Sequence, residues 1–347
     1  SHPFYNSEQV SQRYVEVKAE RFVIPPLEGE ARSLFTERLR EQMAEYQTLI
    51  GLLTPVCEAE YFRRFTARGA RPEKYAGQIQ KRAQEVARYV LPLATEAYLY
   101  HTVSGLTLLR YHRLCRTYDA PREQRLVVEA MVRLLLEVDP LFERLLQEPL
   151  PLEETPEHAF FEAAGLLDGG GAGTREGWAR EFDRALDGRV SRLVDHSARS
   201  EETLAQAVRD VLAVTPDTLP DDDAIALVLD PAKNTLLGET MNVTTLSKLS
   251  RALVHPAYTF RKRISHTADS QDQRHRMTPA SRPCLRAYLS EEPDYVTPGL
   301  VLGDEAVRRA YDESMAKTWE TLARLRTLGV SAEDRAYLLP NAVALRF

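Results

Sequence analysis

Apolar and charged residues alternate along the first part of the chain in a pattern typical of amphipathic helices. Across residues 29–68, apolar side chains recur at helical spacing and charged side chains occupy the opposite face. A second helical block is expected from about Pro72 to Cys115. Pro92 should break it, because proline has no backbone donor and clashes with the preceding turn. Residues 121–138 show the pattern of another amphipathic helix.

The later part of the chain mixes helix and strand signals. Residues 201–213 and 304–329 have helical periodicity, and residues 244–255 are a further candidate helix. Two short runs, "AIALVL" at 224–229 and "YTF" at 258–260, favour strands. This combination predicts an α+β fold.

Proline-rich and glycine-rich stretches at 148–157 and 166–177 form the expected boundary between two domains. The glycines lack the spacing of a phosphate-binding loop, and no predicted strand precedes them, which favours a flexible link. We therefore expect a first domain at 1–160, a linker at 161–180 and a second domain at 181–347.

Composition limits the classes of function. The chain has 347 residues and a formal net charge of -6, which argues against general binding to nucleic acid or to a membrane surface. No apolar run is long enough for a membrane-spanning helix. The chain does not begin with methionine, and we expect it to be cut from a longer protein.

The cysteines and the acidic runs do not favour a metal site. Cys57, Cys115 and Cys284 are scattered and form no CxxC or Cys/His cluster, so neither a disulfide framework nor a zinc site is indicated. This usage fits a reducing cytoplasm. The acidic run "PDDD" at 220–223 has two interpretations, a metal ligand set or a solvated turn before a strand, and we favour the turn.

The two halves of the chain align as an internal repeat when Arg13 is superposed on Arg286. Four further pairs then match at equal spacing: Pro25 with Pro298, Phe22 with Tyr295, Val23 with Val296, and His2 with His275. Later, "AQEVARYVLPLA" at 83–94 resembles "SAEDRAYLLPNA" at 331–342. The joint spacing predicts two diverged copies of one domain. The first copy would lack its beginning and the second its last helices.

The repeated motifs resemble those of the flavin-dependent thymidylate synthase family. The matching motifs are Arg274-His275-Arg276, "SQRY" at 11–14, "RFVIPP" at 21–26, "ARYVLP" at 87–92 and, upstream of the first, "HPAYTF" at 255–260 with Gln271. The resemblance covers most of 1–145 and 240–347, whereas 150–235 match weakly. It implies two copies of that family's fold, each a small mixed sheet with a helical bundle.

The resemblance also implies roles for individual residues. Arg13 and Arg286 would each polarise a uracil ring, with Ser11 beside the first of them. The implied flavin-binding residues are Arg274, His275, Arg276 and His255, and the implied substrate-binding residues are Gln271, Arg88 and Cys284. The chemistry of the arginines agrees, because alternate guanidinium forks suit a phosphate and a reduced flavin. The alternative is an exposed basic helix end that stabilises its own dipole.

Each copy departs from the family pattern at different positions. Cys284 stands where the first copy has Ser11, as a tolerated small residue or, less favoured, as a nucleophile. Arg335 falls one place early relative to Arg88, and Cys115 occupies the place of a family arginine. This pattern fits one surviving composite site, with Arg274, Arg276 and Arg286 from the second copy and Arg88 from the first. It also fits a protein drifting away from catalysis.

Two functions follow from the resemblance. The first is methylation of dUMP to dTMP, or of a related pyrimidine nucleotide, with FAD, methylenetetrahydrofolate and NADPH. The alternative is a catalytically degenerate relative that keeps the fold and binds a flavin or nucleotide. Either protein would act in the cytoplasm as a homodimer, giving a four-domain assembly. The sequence leaves open which nucleotide is bound and whether one or two sites survive.

Overall fold

The computed structural model describes residues 21–146, 151–165, 175–238, 246–274 and 278–347, together with Val17 and the backbone of 5–9. Contacts divide the chain into two compact units. The smaller unit comprises residues 183–263, and the larger unit comprises residues 2–182 and 264–347. The larger unit therefore contains residues from both predicted copies.

Helices dominate both units. The α-helices are α1 (Gly29–Arg64), α2 (Ala76–Ala87), α3 (Gly105–Thr117), α4 (Arg122–Val138), α5 (Pro156–Ala163), α6 (Arg175–Leu186), α7 (Ser200–Leu212), α8 (Asp221–Leu229), α9 (His266–Asp272), α10 (Gly299–Leu302), α11 (Glu305–Thr327) and α12 (Ala332–Ala336). The strands are β1 (Tyr5–Gln9), β2 (Leu99–Val103), β3 (Ser191–His196), β4 (Tyr258–Ser265) and β5 (Ala344–Arg346). Short 3₁₀ helices occupy Thr66–Ala70, Pro72–Tyr75, Arg88–Val90, Pro140–Leu146, Leu152–Glu154, Thr235–Gly238, Ser250–Val254 and Leu285–Tyr288.

The α+β class is confirmed, and most predicted helices are present. α1, α4, α7 and α11 match the predicted segments to within a few residues. The helical block does end at Pro92, because Arg88–Val90 tightens into a 3₁₀ turn and Leu91 is extended. Strand β4 extends the predicted "YTF" run to Ser265.

Two predictions of local structure are wrong. The run 224–229 belongs to α8, because Asp221 to Asp223 fill its first turn, where acidic side chains favour the helix dipole. Its buried residues, Ala224 and Val228, are spaced one helical turn apart, which a strand would not require. Residues 99–103 form strand β2 instead of helix, and they pair with β1 in antiparallel register. The candidate helix at 244–255 is described only from residue 246 on and is a 3₁₀ helix at Ser250–Val254.

The core of the larger unit lies between the two long helices, α1 and α11. Phe35, Tyr46, Tyr311 and Met315 are fully buried there. Arg38 is 1% exposed and its guanidinium pairs with Glu41, at 2.6 Å, and with Glu45. Ser314 of α11 donates to the same Glu45 carboxylate at 2.5 Å, so a buried polar cluster joins α1 to α11.

The two "LP" motifs of the repeat pair with each other across a pseudo-two-fold axis. The Leu93 N–H donates to the Leu339 carbonyl at 2.9 Å, and the Asn341 N–H donates to the Leu91 carbonyl at 2.8 Å. These residues are equivalents in the aligned repeat. The flanking bonds repeat the symmetry, from Ala94 to Tyr337 at 2.8 Å and from Ala342 to Tyr89 at 2.9 Å.

A second pair of bonds extends this symmetry to the "IPP" segments. The Val23 N–H donates to the Ala94 carbonyl, and the Val296 N–H donates to the Ala342 carbonyl, both at 2.9 Å. Val23 and Val296 are equivalents in the alignment that superposes Arg13 on Arg286. The backbone bonding therefore follows the internal repeat.

The smaller unit contains a two-stranded ribbon and a helical cluster. β3 and β4 pair antiparallel with a bulge between Leu193 and Asp195. Helices α7 and α8 enclose a core with the 3₁₀ helix Ser250–Val254, and its buried residues include Leu204, Val208, Val228 and Ala252. None of the helices within the described residues has the length and hydropathy of a membrane span.

Candidate functional site

Arg286 lies at the edge of a cavity in the larger unit. It belongs to the 3₁₀ helix Leu285–Tyr288 and is 5% exposed. The cavity has a volume of about 430 Å³ and is lined by Leu93, Pro121, Glu123, Gln124, Val127, Val128, Cys284, Leu285, Arg286, Glu333, Ala336 and Tyr337. Its walls thus come from both predicted copies. Apolar side chains form most of the lining, which suits a flat heterocycle with Arg286 at its edge.

Polar contacts between α4 and α12 hold two walls of this cavity together. The Arg122 backbone N–H donates to Glu333, and the Arg122 guanidinium pairs with Asp334. The Tyr337 hydroxyl donates to Glu123 at 2.7 Å. Burial, and then this hydrogen bond, raise the pKa of Tyr337, so its hydroxyl remains a donor. Both carboxylates that line the cavity are therefore already bound by protein donors.

Cys284 adjoins Arg286 but is poorly suited to act as a nucleophile. Its Sγ donates to the Asp119 carbonyl at 3.5 Å. Burial raises the pKa of the Cys284 thiol, and the Arg286 guanidinium opposes this only in part. The thiol is therefore mostly protonated near neutral pH, and a protonated thiol is a weak nucleophile.

Arg88 is buried near the start of α9, the helix that precedes Arg274. It is 6% exposed in the 3₁₀ helix Arg88–Val90. Burial lowers the pKa of His266, the first residue of α9, and the Arg88 guanidinium contributes to this shift. His266 Nδ1 is 3.0 Å from Asn341 Oδ1. The structure thus brings an arginine of the first copy close to the motif helix of the second copy.

The other predicted site residues are in different environments. α9 ends at Asp272, earlier than the helix end expected at 276, and Arg274 is exposed with its N–H bonded to the Gln271 carbonyl at 3.1 Å. Gln271 is half-buried. His275, Arg276, Arg13 and Ser11 lie outside the described residues. His255 is exposed in the smaller unit, where it lines a cavity of about 580 Å³ with Glu202, Gln206 and other residues of α7.

Ala336 occupies the position that Arg88 has in the other copy. The Leu91 N–H donates to the Arg88 carbonyl and the Leu339 N–H donates to the Ala336 carbonyl, both at 3.1 Å. The neighbouring Arg335 is 9% exposed, and its Nε donates to the Val330 carbonyl at 3.2 Å. The displaced arginine of the second copy therefore binds its own helix end, and the cavity has a methyl group at this wall.

Two residues near the candidate site were not expected from the sequence. His266 follows Ser265, whose hydroxyl caps α9 by accepting from the Ala268 N–H at 3.1 Å, so a capping signal marked its position. Arg175 begins α6 directly after a glycine-rich stretch and lies close enough to Arg286 for their charges to interact. No local signal predicts that proximity. Within the described residues, no group of three or more His, Cys, Asp or Glu side chains could hold a metal ion.

A family model matches the chain in two segments. The model is described as thymidylate synthase complementing protein and covers residues 1–141 and 192–347. The chain belongs to this family. The two matched segments fit two copies of the domain, as the repeat and the symmetric backbone bonds also do.

A curated relative is the flavin-dependent thymidylate synthase of Clostridium tetani (strain Massachusetts / E88). It is 29% identical over 119 residues, which correspond to 33% of this chain and 43% of that enzyme. The match thus spans less than half the length of the relative.

Proposed function

We propose that this member of the thymidylate synthase complementing protein family binds FAD and methylates dUMP to dTMP. Methylenetetrahydrofolate would supply the carbon and NADPH the reducing equivalents. The observation that carries the proposal is the cavity at Arg286, because it is bounded by both copies and combines apolar walls with one buried guanidinium.

The residues of the chain would act by positioning and by electrostatics. Arg286 holds a fixed positive charge at a largely dry wall, where it would stabilise negative charge that develops on the pyrimidine. Arg88, placed near α9, would orient the nucleotide, and Gln271 would contact it. FAD, when bound, supplies hydride chemistry, and Arg274 with His275, Arg276 and His255 would hold it. Pre-orientation by such groups accounts for a large part of many enzymatic accelerations.

The proposed reaction and its binding steps are tested separately. Purified protein is titrated with FAD and the visible flavin absorbance is recorded, and dUMP is then added to the complex. We expect retained or added FAD and a dUMP-dependent change of the flavin spectrum. Arg88→Ala should weaken the response to dUMP, whereas Arg116→Ala, an exposed arginine of α3, should not. Protein that binds neither FAD nor dUMP would overturn the proposal.

A second candidate function is a catalytically degenerate relative that binds a flavin or nucleotide without turning it over. Ala336 in place of an arginine, and the engagement of the Cys284 thiol with Asp119, favour this candidate. It predicts ligand binding without release of the C5 proton of dUMP. Binding accompanied by that release would exclude it.

We further propose that the protein acts in the cytoplasm as a homodimer with four synthase-like domains. All three cysteines are free, as expected in a reducing compartment. Large apolar side chains are exposed on β2 and β4, among them Leu99, Tyr100, Tyr258 and Phe260, and would become buried in an assembly. Sedimentation equilibrium tests this, and a monomer at all concentrations would contradict it.

A further inference from the structure

Helix α6 comes from the part of the chain that the family model does not match, and its first turn is anchored beside Arg286. Residues 142–191 lie between the two matched segments. The Trp178 ring lies 6.3 Å from the ring of Tyr288, centroid to centroid. The Glu291 N–H donates to Glu176 Oε1 at 3.3 Å. Two contacts thus fix the start of α6 against the segment that carries Arg286.

This anchoring places Arg175 next to a second buried cation. Arg175 is half-buried, and within the described residues no hydrogen bond or ion pair involves its guanidinium. Burial lowers the pKa of Arg175, and the nearby Arg286 guanidinium lowers it further. Cys284 and Asp119 raise it, each by less than Arg286 lowers it. Repulsion between the two arginines is therefore only partly offset by the protein itself.

The acidic groups around the cavity do not remove this excess of positive charge. Glu123 accepts a hydrogen bond from Tyr337, and Glu333 accepts one from the Arg122 backbone. Asp119 offers its carbonyl to Cys284. Two guanidinium forks at the edge of one cavity form a natural site for a phosphate group, because a phosphate can accept hydrogen bonds from both.

We infer that Arg175 and Arg286 together form an anion site that binds the phosphate of a nucleotide monophosphate lying in the Arg286 cavity. This inference rests on the proposed function for the identity of the nucleotide, but not for the anion site. It makes Arg175, a residue from the unmatched segment, a binding residue for substrate.

The inference is tested by comparing dUMP with deoxyuridine, which lacks the phosphate. Wild type, Arg175→Ala, Arg175→Lys and Arg180→Ala are titrated with both compounds by calorimetry. Arg180 is the matched control, because it is an exposed arginine of the same helix. We expect Arg175→Ala to weaken dUMP binding about 10- to 100-fold, the range for a hydrogen bond to a charged group, and to leave deoxyuridine binding unchanged. Arg175→Lys should recover part of the loss.

A second measurement does not depend on the nucleotide. The melting temperature is recorded in chloride and in inorganic phosphate at equal ionic strength. Phosphate should stabilise the wild type and Arg180→Ala but not Arg175→Ala, and in chloride Arg175→Ala should melt at or above the wild-type temperature because a repulsion is removed.

The outcomes separate the two proposals. If dUMP binds wild type and Arg175→Ala equally, the anion site is overturned while the proposed function stands. If no nucleoside or nucleotide binds but phosphate stabilises only proteins with Arg175, the proposed function fails and the anion site stands. Equal stabilisation of Arg175→Ala by phosphate would overturn the inference.

Discussion

Pro92 and Pro340 face each other in an antiparallel bridge, at equivalent positions of the two copies. The same two residues end the repeated motifs that align 83–94 with 331–342. An isologous contact of this kind is normally formed between two subunits. Here both partners belong to one chain, which means that the chain contains its own pseudo-dimer interface.

Asn341 should be the most sensitive polar residue of this interface. Its Nδ2 donates to the Leu91 carbonyl at 3.1 Å, and its Oδ1 faces His266. We expect Asn341→Ala to lower the free energy of unfolding by about 1–3 kcal/mol, because buried partners lose their hydrogen bonds. Urea unfolding measures this. Gln80→Ala, at an exposed position of α2, is the control, and equal effects of the two substitutions would contradict the prediction.

Arg38 should contribute strongly to the packing of α1 on α11. Arg38→Met leaves the Glu45 carboxylate without its buried cation and should cost about 3–5 kcal/mol of unfolding free energy. Adding Glu45→Gln should recover part of the loss. Arg308→Met removes an exposed pair with Asp312 and should change stability by less than about 0.5 kcal/mol. A loss at Arg38 as small as that at Arg308 would show that the cluster is not structural.

His266 should make stability depend on pH. Burial, followed by the charge of Arg88, lowers its pKa from the ordinary 6.5, although Asn341 and Asp269 oppose this. The unfolded state therefore takes up a proton first as the pH falls, and the contribution of His266 is present above about pH 6.5 and is lost below it. His266→Gln should flatten the decline in urea midpoint between pH 7.5 and 5.5. Parallel curves for variant and wild type would contradict this.

Cys284→Ser restores the hydroxyl that the first copy has at Ser11. A hydroxyl is a stronger hydrogen-bond donor than a thiol, so we expect dUMP affinity to rise several-fold in a calorimetric titration. Cys115→Ser is the matched control, because Cys115 is buried in the packing of α3 on α4 and its replacement should lower stability without raising affinity. Unchanged or weaker binding of dUMP by Cys284→Ser would exclude a substrate contact at this position.

The sequence predicted the long helices and the repeat because both depend on regular spacing. Leu39, Met43 and Tyr46 lie on one face of α1 and are buried as expected. The equal spacing of Pro25 and Pro298 from their anchor arginines anticipated the matching bonds of Val23 and Val296. Such patterns carry over from sequence to structure because helix geometry and a duplicated backbone are both local or copied properties.

Features set by contacts between distant segments were less predictable. The short apolar run at 224–229 fits either a strand or a buried helix, and its acidic first turn decided for the helix. The cavity requires α4, α12 and Cys284 to meet, and the proximity of Arg175 to Arg286 depends on how α6 packs against Tyr288. The exposure of Arg274 likewise follows from where α9 ends, which the sequence placed too late.

The most direct test of the central claim is tritium release from dUMP labelled at C5, in the presence of FAD, NADPH and methylenetetrahydrofolate. Arg286 is the buried cation of the cavity formed by both copies, so Arg286→Ala should reduce the release about 100-fold or more, as expected for loss of one preorganised electrostatic contact. Arg309→Ala, at an exposed position of α11, should retain the wild-type rate. Wild-type release by the Arg286→Ala protein would contradict the account.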